Sequence, residues 1–379
     1  MSKTVYRYNG SVYTPSGSTV RARNAANGTV ICLVIMVVVL AIVCISLNLT
    51  INRASADNDT ISGVYNANSV YEPLNTGGPA NTDVNGSSPD TSDLPSYNSP
   101  GALKLYGDEK TASIGSSITS EYAIVVDGNT GHILASKKSS ERIYPASLTK
   151  VMTAIVACEM IKDMGDTFTL TNEIINPFVL QGASRANFCT GYPITMKELV
   201  YGVILPSGAD ACAALAIKLC GSEAAFVEKM NEKAEAIGCT KTRFANATGL
   251  HADGHYSTVR DLATIMSYAM NNPFIRAVLS TKSFTTTAPL GNERDGFYYK
   301  MNCIWASRYA GNESAAAELF AAKTGYTIEA GQCLSSVSRT ADGKEYVVVT
   351  VGARPSYEGE NTRTKPYQDV KYILDTYLG

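Results

Sequence analysis

Strand-type sequence stands near both ends of one long stretch of this chain, with helical patterns between. Toward the front, Tyr122-Ala-Ile-Val-Val-Asp127, a Gly128-Asn-Thr-Gly131 turn and His132-Ile-Leu-Ala-Ser136 read as a β-hairpin. Toward the back, Leu319 to Lys323, Gln332 to Arg339 and Tyr346 to Gly352 return to strand composition, the last two joined by an Asp342-Gly343 turn. Two strands, several helices and three strands suggest one antiparallel sheet assembled from both ends of an α+β domain, with helices on its faces.

The intervening helices carry their own punctuation. Thr195 with Glu198 makes a capping-box pattern opening a helix through Ile204. Pro206-Ser207-Gly208 breaks it, and Ala209 to Cys220 reads as a second helix stopped by Gly221. Ser222 starts another, whose apolar positions Val227, Met230, Ala234 and Ile237 keep helical spacing until Gly238. Thr258 with Asp261 caps one more, running to about Met270, and Gln368 to Tyr377 closes the chain as a helix. No repeat is visible, and no second globular domain fits.

Ahead of this domain, residues 30 to 47 form an uncharged apolar run long enough to cross a bilayer as a helix. The 29 residues before it carry Lys3, Arg7, Arg21 and Arg23 and no acid, which keeps the N-terminus in the cytoplasm and exports the chain beyond Leu49. A cleaved signal peptide competes with this reading, since Ala54-Ser55-Ala56 looks like a cleavage site. The run exceeds the usual 7–15 residues of such a signal, however, and its leader is long and polar. From about Asn52 to Ser117 the sequence is rich in Asn, Ser, Thr, Gly, Pro and Asp and reads as a flexible tether. The expected organisation is therefore a cytoplasmic tail (1–29), a membrane anchor (30–49), a low-complexity linker (50–117) and a folded domain (118–379). At 379 residues and 45% hydrophobic content a real core is available, and a net charge of -2 argues against nucleic acid as a partner.

Nine cysteines divide as Cys32 and Cys44 in the apolar run and seven beyond it. An odd number leaves at least one exported thiol unpaired within the chain, and the scattered spacing contains no zinc pattern. Cys212 and Cys220 lie too far apart along one helix to bridge. Buried free thiols account for most of the set.

Chemistry concentrates at Tyr144-Pro145-Ala146-Ser147-Leu148-Thr149-Lys150. Pro145 cannot sit inside a helix and the residues after Ser147 turn helical, so Ser147 falls near a helix N-terminus. Lys150 projects from the same face about one turn on, close enough for its amine to meet the Ser147 hydroxyl. A lysine among apolar neighbours has its pKa lowered and can take the proton that makes a serine nucleophilic. Alone, such a Ser-x-x-Lys is most often an N-cap serine beside a solvated lysine.

Two further segments change that reading. Ser207-Gly208-Ala209 sits between two helices, and Lys323-Thr324-Gly325 ends a predicted strand. Together with Ser147-x-x-Lys150, in this order, they resemble the recurring trio of the penicillin-recognising serine enzymes. Within that superfamily the chain resembles the serine-type D-alanyl-D-alanine carboxypeptidases. The words that carry the likeness are Asp127-Gly-Asn-Thr-Gly131, Pro145-Ala-Ser-Leu-Thr-Lys150, Leu205-Pro-Ser-Gly-Ala-Asp-Ala211, Phe244-Ala-Asn-Ala-Thr-Gly-Leu250, His255-Tyr-Ser-Thr258 and Ala322-Lys-Thr-Gly-Tyr-Thr327. The likeness runs from about residue 118 to near the C-terminus and implies a β-lactamase/transpeptidase-like fold. It implies acyl transfer on the D-Ala-D-Ala end of peptidoglycan stem peptides, with β-lactams acylating the same serine. Ser147 would be nucleophile, Lys150 base and Ser207 a proton relay. Lys323 and Thr324 would receive the substrate carboxylate, and the backbone N–H groups of Ser147 and Tyr326 the oxyanion. No cofactor is implied, and His251 with His255 find no third ligand for a metal. The implied location is the bacterial cell membrane, single-pass, with the domain outside.

The chain departs from the pattern at Ala209, where the middle motif usually has Asn; alanine cannot supply that amide's hydrogen bonds. Relatives also commonly carry a C-terminal amphipathic helix for membrane attachment, a role the 30–49 anchor is expected to take. Two alternatives stay open: a serine β-lactamase, though no Glu-x-x-x-Asn deacylating word comes after the middle motif, and a tethered sensor acylated without turnover, which Ala209 would suit.

Overall fold

The computed structural model describes residues 102–292, 296–357 and 360–378. Every described residue belongs to one compact unit, 87–379. The expected tail and anchor, and the linker as far as residue 101, lie outside the described residues. Among the described residues no helix is long and apolar enough to cross a membrane.

The strands among the described residues are β1 Ala112–Ser113, β2 Tyr122–Asp127, β3 Ile133–Lys137, β4 Thr167–Thr169, β5 Pro193–Thr195, β6 Ser283–Asn292, β7 Gly296–Asn302, β8 Glu318–Thr327, β9 Gly331–Arg339 and β10 Glu345–Ala353. The helices are α1 Thr149–Met160, α2 Asn172–Leu180, α3 Met196–Ile204, α4 Ala209–Cys220, α5 Glu223–Ala236, α6 Val259–Met270, α7 Pro273–Ser280, α8 Ile304–Tyr309 and α9 Lys365–Tyr377.

The main sheet has the order β1-β3-β2-β10-β9-β8, so the front hairpin docks on the back meander through β2 and β10. Successive residues of β9 and β10 point to opposite faces yet are almost all buried, which requires cover on both sides. α6 and α9 pack on these central strands. The sheet is antiparallel except at one edge, where β1 pairs parallel to β3. The expectation of a wholly antiparallel sheet is corrected there: β1 is two residues long, too short to leave a pattern in the sequence. Leu105 and Ile114 join the core, so the packed body takes in residues ahead of 118.

Two small two-stranded sheets were not expected: β4 with β5, which are joined through α2, and the β6–β7 hairpin. Pro289 and the threonine run of β6 hide its alternation, in which Thr286, Ala288 and Leu290 are buried while Thr285 and Thr287 are exposed, and β7 is exposed along most of its length. The Thr195 capping box forms as expected, and its Glu198 carboxylate also accepts from the Ala288 amide at 3.1 Å, tying β6 to α3. All seven described cysteines are free thiols, and Cys212, Cys239, Cys303 and Cys333 are buried.

Candidate active site

A single turn of 3-10 helix, Ala146–Leu148, delivers Ser147 to the start of α1. Ala146 holds φ +47, a conformation disfavoured for any residue with a Cβ, and the neighbours are shaped to receive it. Gly249 (φ +78) backs onto the Ala146 carbonyl, and Gly325 on β8 approaches until an added Cβ would lie 3.2 Å from the Ser147 nitrogen. Three residues beyond Ser147, Lys150 places its Nζ 3.0 Å from Ser147 Oγ and donates to the Thr248 carbonyl. With one N–H engaged there, a neutral amine has its lone pair available for the serine proton.

The second serine stands in the break between α3 and α4. Ser207 takes φ +62, strain of order 1–3 kcal/mol that surrounding structure must hold. Gly208 lies so close to the chain at 186 that a Cβ would meet the Ala186 nitrogen at 2.7 Å. Asp210, fully buried, accepts from the amides of Ala186 (2.7 Å), Asn187 (3.1 Å) and Ala211 (3.0 Å), clamping a strap, residues 182–187, against the motif. The Ala209 amide donates to the Ser184 carbonyl at 2.8 Å. From β8, Lys323 Nζ donates to Ser207 Oγ at 2.9 Å and to the Thr324 carbonyl at 2.9 Å.

These elements enclose a cleft of about 580 Å³. Ser147, Lys150, Ser207, Thr324, Gly325 and Tyr326 all line it, while Lys323, only 1% exposed, lies behind Ser207. The Lys323-Thr-Gly segment does not end its strand as expected. β8 continues through Thr327, because Gly325 is kept for its close approach to the Ser147 turn rather than for a bend. The far wall comes from the strap and from Glu360 to Arg363.

Burial pushes Lys150 below the ordinary lysine range, opposed in part by Cys212 and Asp210. It pushes Lys323 further down, and the positive charge of Lys150 adds to that effect. A carboxylate entering the cleft would favour the charged form of Lys323. Burial also raises the Asp210 carboxyl, against the three amides that hold its charged form. The Cys212 thiol, which donates to the Gly208 carbonyl at 3.2 Å beneath the site, is pushed up to about 12 by burial and stays a thiol.

Sequence reasoning left His255 without a role. Its Nδ1 accepts the Ala245 amide at 3.0 Å, which leaves the proton on Nε2, 2.8 Å from Thr149 Oγ1. The imidazole thus ties the start of α1 to the 245–249 loop whose Thr248 carbonyl holds Lys150. Thr248, the strap and the Glu360–Arg363 wall were not singled out either. They are polar or backbone contributions without periodicity, and only Gly182 and Gly249, both at positive φ, could have flagged two of them.

An α+β fold whose cleft brings two serine–lysine pairs together has the architecture of the penicillin-recognising serine enzymes. Residues 108–355 match the peptidase S11 family, described as D-alanyl-D-alanine carboxypeptidase, and the chain belongs to that family. It is similar to the D-alanyl-D-alanine carboxypeptidase DacF of Bacillus subtilis, 31% identical over 240 residues, covering 62% of this chain and 57% of the relative. A Streptomyces D-alanyl-D-alanine carboxypeptidase is 33% identical over 254 residues, covering 64% of this chain and 84% of the relative. The chain thus spans under three fifths of the length of DacF and 59% of the Escherichia coli relative DacA. Among solved structures, the Streptomyces K15 DD-transpeptidase superposes with a TM-score of 0.58 at 26% identity, covering 69% of this chain and 97% of that one. A Mycobacterium tuberculosis D-alanyl-D-alanine carboxypeptidase gives 0.56 at 25% identity, covering 69% and 94%.

Proposed function

We propose that the protein is a serine D-alanyl-D-alanine carboxypeptidase that removes the terminal D-alanine from peptidoglycan stem peptides. One observation carries the reading: Ser147, Lys150 and Ser207 line one cleft, with Ser147–Lys150 at 3.0 Å and Lys323, from a distant part of the chain, 2.9 Å behind Ser207. Lys150 takes the Ser147 proton as Oγ attacks the carbonyl between the two D-alanines. The backbone N–H groups of Ser147 and Tyr326 receive the negative oxygen of the tetrahedral intermediate. Ser207 relays to the leaving amine the proton that Lys150 has taken, and D-alanine departs. Water, giving a proton to the neutral Lys150, attacks the ester, and Lys150 returns that proton to Ser147 Oγ as the peptide leaves. Lys323 acts from behind Ser207 as a short-range cation for the substrate carboxylate, which the Thr324 hydroxyl meets directly. A β-lactam, presenting a strained amide to the same serine, acylates it. D-Alanine released by the purified protein from a peptide ending in D-Ala-D-Ala tests the assignment; no release contradicts it.

The same reading places residues 1–29 in the cytoplasm, 30–49 through the bacterial cell membrane, and the linker from 50 outside. It leads into the catalytic domain, with the motifs all within 118–379. The uncharged run and the basic leader support it. Recovery of the full chain in the membrane fraction, and its release when 30–49 is deleted, is the expected result.

Ala209 favours a second reading, a tethered sensor that is acylated by β-lactams or wall peptides and not deacylated. A single stoichiometric burst of D-alanine with no turnover would select it.

A further inference from the structure

Ala209 lies on the cleft with only a methyl group to offer it. The adjoining strap offers Gly182, Ala183 and Ser184 to the same cleft, and Ser184 is the one with a polar side chain. Its carbonyl is already engaged by the Ala209 amide at 2.8 Å, which brings the two residues side by side. Ser184 is exposed, and its hydroxyl makes no hydrogen bond among the described residues. The mount is rigid: the Asp210 carboxylate holds the Ala186 and Asn187 amides, and the Gly208 amide donates to the Gly202 carbonyl at 2.9 Å.

We infer that Ser184 is a substrate-binding residue of this site, its hydroxyl making the hydrogen bond to the substrate's peptide backbone that Ala209 cannot make. The inference rests on the carboxypeptidase reading for the identity of the peptide, and it assigns the strap a binding role. A hydroxyl both donates and accepts, so it satisfies either an N–H or a C=O of the bound chain.

The test uses the full chain carrying Ser147→Ala, which cannot be acylated, and equilibrium binding of an N-acetylated peptide ending in D-Ala-D-Ala. Adding Ser184→Ala is expected to weaken binding roughly 5- to 100-fold, the loss of one hydrogen bond to the ligand. Ser184→Thr, which keeps the hydroxyl, is expected to stay within about 3-fold of the parent. With Ala209→Asn also present, Ser184→Ala is expected to weaken binding less than about 2-fold, because two residues serving one contact are not additive. Equal binding by Ser184→Ala and its parent, equal loss for Ala and Thr, or no peptide binding by the parent overturns the inference. Should Ala209→Asn fail to fold, the Ala and Thr variants decide alone. Ser184-dependent binding alongside a wild-type chain that releases no D-alanine would sink the activity and leave the binding role standing.

Discussion

A methyl group on Gly249 would lie 2.0 Å from the carbonyl oxygen of Ala146, the residue before the candidate nucleophile. The loop that holds Lys150 and the turn that presents Ser147 are therefore packed backbone against backbone. Gly249→Ala combines this overlap with a left-handed φ of +78. Gly254→Ala has the same φ and meets nothing within 4 Å. Thermal or denaturant unfolding should show roughly 1 kcal/mol lost at Gly254 and about 2–4 kcal/mol at Gly249, with β-lactam acylation lost only in the latter. Equal losses at the two sites would show that the contact with Ala146 gives way freely.

His255 makes stability depend on pH. Burial, with the nearby His251 and Lys150 charges, lowers its pKa from 6.5 to about 4. Above about 6.5 the imidazole is neutral in both folded and unfolded states and contributes no pH dependence. As pH falls from there toward about 4, the unfolded chain gains a proton that the folded one refuses, so stability drops, by up to about 3 kcal/mol. Denaturant titrations at pH 7 and pH 4.5 should show His255→Gln less stable than wild type at pH 7, with the gap narrowing at pH 4.5. A gap independent of pH would mean that the histidine titrates normally.

Lys150 acts as a base only when neutral, and burial lowers its pKa. The acylation rate by a β-lactam should rise with pH along a single limb whose midpoint lies below the ordinary lysine value. Lys150→Met removes the base and should reduce acylation by a factor of roughly 10² or more. A limb centred at the ordinary lysine pKa would remove the amine from this role.

Asp210 holds three amides in a buried site, and two of them belong to the strap that walls the cleft. Asp210→Asn turns an acceptor-only group into one that presents N–H toward those donors, so the strap should loosen. The expected loss is about 2–3 kcal/mol by denaturant unfolding, with KM for the D-Ala-D-Ala peptide rising more than kcat falls. An unchanged KM would mean that the strap does not touch substrate.

Sequence separation decides which features were legible before the fold was known. The Tyr122–Asp127 strand, the Thr195 cap and the Ser147–Lys150 spacing are local, and the structure reproduces each. The Ser207–Lys323 contact spans 116 positions, and only the resemblance to a family joined its halves. The left-handed φ of Ser207 and Ala146 left no trace, since neither is a glycine. The strap, the Glu360–Arg363 wall and the β6–β7 hairpin are short, polar or exposed, and hydrophobic periodicity says nothing about such segments. Lys323 behind Ser207 rather than on the cleft surface is likewise a matter of packing depth.

The central claim is that Ser147 becomes covalently acylated in a cleft completed by Ser207 and Lys323. Peptide mapping by mass spectrometry, after incubating the full chain with benzylpenicillin, tests it most directly. The account predicts one penicilloyl adduct, on the peptide containing Ser147, absent from Ser147→Ala and formed more slowly in Ser207→Ala and Lys323→Ala. An adduct on any other residue, or one that persists in Ser147→Ala, would contradict it.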